Sequence, residues 1–233
     1  MRAVLIPAVL SLLTCIALPP TAAAQDMVRG EAVIELGRNF GTGGNFKRAE
    51  MSLGTELGFG AGVQMDLGIG KYEQITSTSP SGSLHLYYAV DEDLAVGVFA
   101  TAEDRRPGSS YYAGIEAAYA TGDIALEGHF AYRDDLDVAT DGVRYGLDAG
   151  FHPDAWRGFG LSAGAVAETG MTTGRKNFGY VGAEFMFRNG VRTGLMVGRT
   201  DNHDTVASAA VSFEFGQGAR FGRRDSRGLF PAY

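Results

Sequence analysis

The feature that most constrains this chain is a two-residue period in side-chain polarity that persists almost from end to end. In Ala49-Glu50-Met51-Ser52-Leu53-Gly54-Thr55-Glu56-Leu57-Gly58-Phe59 the odd positions are apolar except for Thr55, and the even ones are charged, small or glycine. Val63-Gln64-Met65-Asp66-Leu67-Gly68-Ile69 repeats the pattern shortly afterwards. Successive side chains on a strand point to opposite faces, so each stretch predicts a strand with one greasy and one polar face. The spacing predicts twelve of them, at 30–37, 48–59, 63–71, 83–90, 94–101, 111–120, 124–133, 143–152, 159–168, 178–187, 191–199 and 205–215. Away from the strand ends, the apolar faces carry no Asp, Glu, Lys or Arg.

The connections alternate as well. Gly60-Ala61-Gly62, Asp91-Glu92-Asp93, Thr121-Gly122-Asp123, 153–158 and Arg188-Asn189-Gly190 are short and carry hairpin chemistry such as Asn-Gly. Longer polar stretches lie between them: 38–47, 72–82, 102–110, 134–142, 169–177 and 200–204. Short turns at one rim and longer loops at the other are characteristic of a barrel that crosses a membrane. Phe59, Tyr88, Tyr119, Phe151, Phe159, Phe187 and Phe215 fall on the apolar face at the short-turn end, and Tyr111, Tyr132 and Tyr145 at the loop end. Two aromatic belts around an aliphatic middle suit the two headgroup zones of a bilayer. The competing arrangement is a soluble barrel or sandwich, which would turn the apolar face inward.

Met1-Arg2, the apolar run 3–18 and Ala22-Ala23-Ala24 before Gln25 read as an export signal, so residues 1–24 are expected to be removed. Cys15 lies within that segment and is the one cysteine, so the mature chain offers no disulfide, Cys-ligated zinc or thiol nucleophile. The full chain has a net charge of −7, which does not suggest a nucleic-acid partner. A charged fraction of 20% beside 34 Gly, 14 Phe and 10 Tyr argues against a disordered chain or a coiled coil.

If the apolar face meets lipid, the polar face lines a lumen. Twelve strands spaced about 4.8 Å apart and tilted by about 40° close into a cylinder about 24 Å across, with a bore on the order of 10 Å after side chains. The expected lining contains Glu31, Glu35, Glu50, Glu56, Asp66, Glu116, Glu127, Asp148, Glu168, Glu184 and Glu214, against Arg48, Arg133, Arg144 and Arg192, with His85, His129 and His152 also facing inward. That excess of carboxylates would attract cations. The alternative is that carboxylates and arginines pair across the bore and leave no conducting path. Inward Gly54, Gly68, Gly97, Gly114, Gly146, Gly164, Gly182 and Gly194 are expected to leave space or to serve strand curvature. Ser83 and Ser162 have no spacing that singles out a nucleophile, and the scattered histidines form no metal motif, so no catalytic residue, metal or cofactor is assigned.

After Phe215, residues 216–233 carry Arg220, Arg223, Arg224 and Arg227 against Asp225, with Phe221, Leu229, Phe230 and Tyr233 interspersed. The simpler expectation is a disordered tail in the periplasm. The sharper one is a basic plug that enters an acidic lumen.

The export signal, the alternation, the short turns and the closing strand Val211-Ser212-Phe213-Glu214-Phe215 together resemble the porin-like outer-membrane β-barrels of Gram-negative bacteria. The resemblance covers residues 28–215 and implies an all-β fold: a transmembrane antiparallel up-and-down β-barrel of about 12 strands, with short periplasmic turns and longer extracellular loops. It implies a location in the outer membrane, contact with its lipid and with the barrel assembly machinery, and passive passage of small polar solutes or cations. A structural or adhesive barrel acting through its loops, and a barrel enzyme, remain as alternatives. Oligomeric state is left open.

Overall fold

A computed structural model describes residues 28–41, 44–73, 78–104, 108–135, 141–171, 174–222 and 224. The export signal and two tail arginines, Arg223 and Arg227, lie outside these residues. Twelve strands run in order: β1 Val28–Asn39, β2 Asn45–Gly58, β3 Ala61–Tyr72, β4 Thr78–Ala89, β5 Leu94–Asp104, β6 Ser109–Thr121, β7 Ile124–Asp135, β8 Gly142–Phe151, β9 Phe159–Met171, β10 Gly174–Met186, β11 Val191–Thr200 and β12 Thr205–Phe215. Each pairs antiparallel with its sequence neighbours, and β1 pairs with β12, for example Glu31 opposite Glu214, so the sheet closes on itself without an edge. A closed barrel satisfies every strand's backbone groups within the sheet, as a bilayer demands.

At the loop rim the strands run further than the alternation shows. Strand β4 begins at Thr78 rather than 83, and β9 continues to Met171. Polarity alternation is the imprint of contact with lipid. Strand beyond the hydrocarbon zone has no apolar face to display, so Thr-Ser-Pro-Ser reads as loop while still pairing along β3. Some of the polar stretches expected as loops are therefore strand. At the opposite rim, the Phe59-Gly60 turn between β2 and β3 has φ of 54° and 79° at its two residues, the backbone twist that a tight hairpin needs.

The polarity of the wall is inverted relative to a soluble protein. Leu195, Val181 and Ile115 are 67%, 63% and 62% exposed, whereas Asp66, Glu168 and Arg133 are 3%, 1% and 0% exposed. Leu53 and Met65 are half-buried on the same outward-facing register as Val63 and Leu67. The soluble alternative is thereby excluded, because its apolar face would be sealed inside. Tyr88, Tyr119, Phe151 and Phe159 are exposed at the short-turn rim, and Tyr111, Tyr132 and Tyr145 at the loop rim. Trp156 sits on a single helical turn between β8 and β9, edge-on to Phe151 at 5.4 Å, and joins the short-turn belt.

Candidate functional site, a charged lumen

The charges on the inward face of the barrel pair between neighbouring strands. Along β1, β2 and β8–β12, Arg48 reaches both Glu35 and Glu50 (Nε to Glu50 3.1 Å). Arg192 pairs with Glu184 at 3.1 Å and with Glu214. His152 Nε2 lies 2.7 Å from Glu184, and the Tyr180 hydroxyl donates to Asp148 at 2.6 Å. Glu168 on β9 accepts from Arg133 of β7 at 2.5 Å and from Arg144 Nε of β8 at 2.7 Å. The Arg144 guanidinium lies over the Tyr112 ring, 3.8 Å from its centroid. His85 is fully buried between two carboxylates, 2.8 Å from Asp66 and 2.7 Å from Glu116. Glu116 in turn faces His129 across the β6–β7 ladder. Near the short-turn rim, Arg29 holds Glu56 at 2.9 Å and also donates to Tyr87.

Two expectations change. The carboxylate excess is smaller in effect than the residue count suggests, because most of these acids have a cationic neighbour. Arg29 escaped the alternation because β1 begins two residues earlier than its apolar pattern. Nor do the inward glycines simply leave space. Gly37 pairs with Phe46, Gly62 with Tyr87, Gly146 with His129 and Gly164 with Tyr180 across adjacent strands. In each pair the partner's ring covers the glycine so closely that a Cβ there would lie 2.2 to 2.5 Å from it. The glycines are hollows in which rings lie flat against the wall. Gly194 is different, since a Cβ there would meet nothing closer than 3.9 Å.

Of the C-terminal segment, residues 216–222 and 224 are described, and they lie against the inner wall of the barrel. After Phe215 the chain turns at Gly216, whose φ is 63° and which sits against Val28 and Arg29 at the mouth of β1. It then crosses the lumen to the far wall. Gln64 on β3 clasps its backbone: Oε1 accepts from the amides of Arg220 and Phe221 at 2.8 and 3.1 Å, and Nε2 donates to the Phe221 carbonyl at 2.7 Å. The Phe221 ring is 1% exposed, stacked on His85 at 6.0 Å and edge-on to Tyr87 at 5.7 Å. Glu127 accepts from the Gly222 amide at 2.9 Å. The Arg224 guanidinium, also 1% exposed, donates Nε to Glu116 at 2.9 Å and a terminal nitrogen to Glu127. Of the four tail arginines named from sequence, Arg220 and Arg224 are thus placed inside the barrel. No periodic signal foretold the insertion, because the segment follows no strand or helix pattern.

At the loop rim the lumen narrows again. Phe46 and Tyr72 from β2 and β3 meet Val166, Phe178 and Val206 from β9, β10 and β12, with Tyr180 and Met196 packed against them. Between this apolar cluster and the C-terminal segment lies a cavity of about 430 Å³. Six carboxylates and three arginines line it, and one of the arginines is Arg224 of the tail. Replacing Phe46 and Phe178 together by Ala is expected to raise single-channel conductance by about twofold or more, since the constriction there is made of side chains. Unchanged conductance would show that the passage is limited elsewhere.

Closure of twelve antiparallel strands around a charged interior, inside an apolar exterior with two aromatic belts, defines the architecture of a porin-like outer-membrane barrel. No protein-family model matches the chain, and no curated relative matches it by sequence. Among solved structures, the NanC porin is similar over 78% of this chain and 98% of its own, with a TM-score of 0.66 and 10% identity. The KdgM porin is similar over 79% of this chain and 99% of its own, with a TM-score of 0.61 and 11% identity. A second KdgM porin structure, in complex with disordered oligogalacturonate, has a TM-score of 0.58 at 12% identity over the same shares. At these identities the likeness is one of fold.

Proposed function

We propose that this protein is an outer-membrane channel through which small hydrophilic solutes and ions diffuse passively, with a preference for cations. The observation that carries the proposal is the internal cavity, enclosed by a wall whose lipid side is apolar and whose lumen side is charged. Channels select by the charge and bore of their lining. Here the lining has twice as many carboxylates as arginines, and one of those arginines arrives on a segment that is not part of the wall. The shared fold with the NanC and KdgM porins supports the channel reading. The acidic lining is this chain's own and supports the sign of the selectivity.

In planar bilayers under a KCl gradient, the chain lacking residues 216–233 is expected to conduct and to show a cation-selective reversal potential. An anion-selective potential would overturn the cation preference alone. Absence of conductance both with and without the tail would leave a structural barrel acting through its loops, a reading that the segment lodged across the lumen of the intact chain also favours.

A further inference from the structure

The lumen face where Arg224 rests is built like a receptor site, and it is occupied by a piece of the same chain. We propose that Asp66, His85, Glu116 and Glu127, with Tyr87 and Phe99, form a binding site for guanidinium-bearing organic cations, and that residues 219–222 with Arg224 are its resting ligand. This rests on the channel reading and adds to it a solute class and a mode of control.

Three features point to a guanidinium rather than to any cation. Glu116 on β6 and Glu127 on β7 receive two different nitrogens of the Arg224 guanidinium, Nε and a terminal nitrogen, a pair of spaced donors in one rigid plane that the single nitrogen of an ammonium lacks. The Phe99 ring lies beneath the same cation, 5.5 Å from centroid to guanidinium carbon, and planar cations are favoured over aromatic faces. Glu116 is held for this task from behind, because its other oxygen is bound by His85, which Asp66 anchors in turn. Beside Glu116, His129 is 6% exposed, and neither ring nitrogen has a hydrogen-bond partner among the described residues. A solute carrying an additional donor or acceptor would find that ring waiting. The neighbouring slot between His85 and Tyr87, filled now by Phe221, accepts a flat apolar group.

The hydrogen bonds that hold residues 220–222 and Arg224 to the wall come from the side chains of Gln64, Glu116, Glu127 and Arg144, not from the strand ladders, so the segment can leave without breaking the barrel. When it leaves, Glu116 and Glu127 lose the Arg224 guanidinium deep in the lumen. A solute guanidinium would restore that compensation. Because the tail is tethered, its effective concentration at the site is on the order of millimolar. A competing solute must therefore reach about millimolar concentration to displace it.

The test uses arginine amide as probe, with glycine amide and lysine amide as comparisons, in planar bilayers. Arg224→Ala is expected to raise the conducting fraction severalfold over the intact chain. Arginine amide is then expected to block the open channel more strongly than lysine amide, with glycine amide inert. Adding Glu116→Gln and Glu127→Gln to Arg224→Ala should abolish the block. An open Arg224→Ala channel that arginine amide blocks no better than glycine amide would overturn the inference and leave the channel reading standing. Absence of conductance from the intact chain, from Arg224→Ala and from the chain lacking 216–233 would instead remove the channel reading itself.

Assembly of each variant is checked by heat-modifiable gel mobility. A second measurement does not depend on Arg224→Ala. In the mature chain carrying Ala219→Cys, thiol labelling from the aqueous phase should accelerate severalfold on addition of arginine amide. A rate that arginine amide leaves unchanged would equally overturn the inference.

Discussion

Leu195→Arg is expected to lower the stability of the assembled barrel by about 2–4 kcal/mol, the depth-dependent cost of an arginine facing lipid at the middle of a transmembrane strand. Leu195 lies at the centre of β11, between Ala183 and Ala209 on its neighbours, and is 67% exposed on the outer face. Its sequence neighbour Gly194 faces the lumen at a point where a Cβ would touch nothing closer than 3.9 Å, one of those atoms being Cβ of Glu184. Gly194→Arg therefore places the same cation beside a carboxylate in an open cavity and should cost far less. Urea midpoints of the two variants in detergent micelles, with heat-modifiable mobility as the assembly assay, make the comparison. Equal loss in both would mean that the two faces of β11 do not differ as described, and the inside-out wall would be refuted.

Glu168→Ala is expected to cost about 3–5 kcal/mol, because it leaves Arg133 and Arg144 facing each other's charge with their shared carboxylate gone. Both guanidiniums are essentially inaccessible, at 0% and 1% exposure. Arg133 retains Asp135 at 3.4 Å and the Gly170 carbonyl at 3.2 Å, and Arg144 retains the Arg224 carbonyl at 2.7 Å. These contacts offset part of the loss without neutralising two charges. Glu168→Gln keeps the acceptor oxygen and should fall between the parent and Glu168→Ala. The combination of Arg133→Met with Glu168→Ala should recover part of the loss, since an uncompensated buried charge costs more than an absent pair. A double variant less stable than Glu168→Ala alone would show that Arg133 contributes by packing or by its other partners rather than through Glu168.

The strands were legible in the sequence because lipid imposes the alternation directly. Val63, Met65, Leu67 and Ile69 must all be apolar whatever their neighbours on β4 turn out to be, so each strand announces itself without knowledge of the others. The same independence explains what could not be read. That Glu168 on β9 would serve arginines of both β7 and β8 depends on register and on side-chain reach across two ladders, which no single strand encodes. Arg29 lies where β1 has already left the apolar zone, so its inward position had no alternating context. Gln64 was visible as an inward polar residue, but its role as a clasp required a partner from 156 residues downstream. The insertion of the tail was legible only as a charge match between basic residues 220–227 and an acidic lumen, a match that a tail outside the barrel satisfies equally well.

The rings resting over glycines bear on how the width of the passage is determined. In a barrel the backbone circumference is fixed by strand number and stagger, so the wall itself has little freedom to widen or narrow. Here Phe46, Tyr87, His129 and Tyr180 each lie in a recess that an opposing glycine leaves. A single added methyl at Gly37 would tip the Phe46 ring toward the axis while every ladder bond and every lumen charge stayed in place. The calibre of this conduit is consequently adjustable in one-residue steps, separately from its selectivity, and two barrels with identical backbones could differ in throughput for that reason alone.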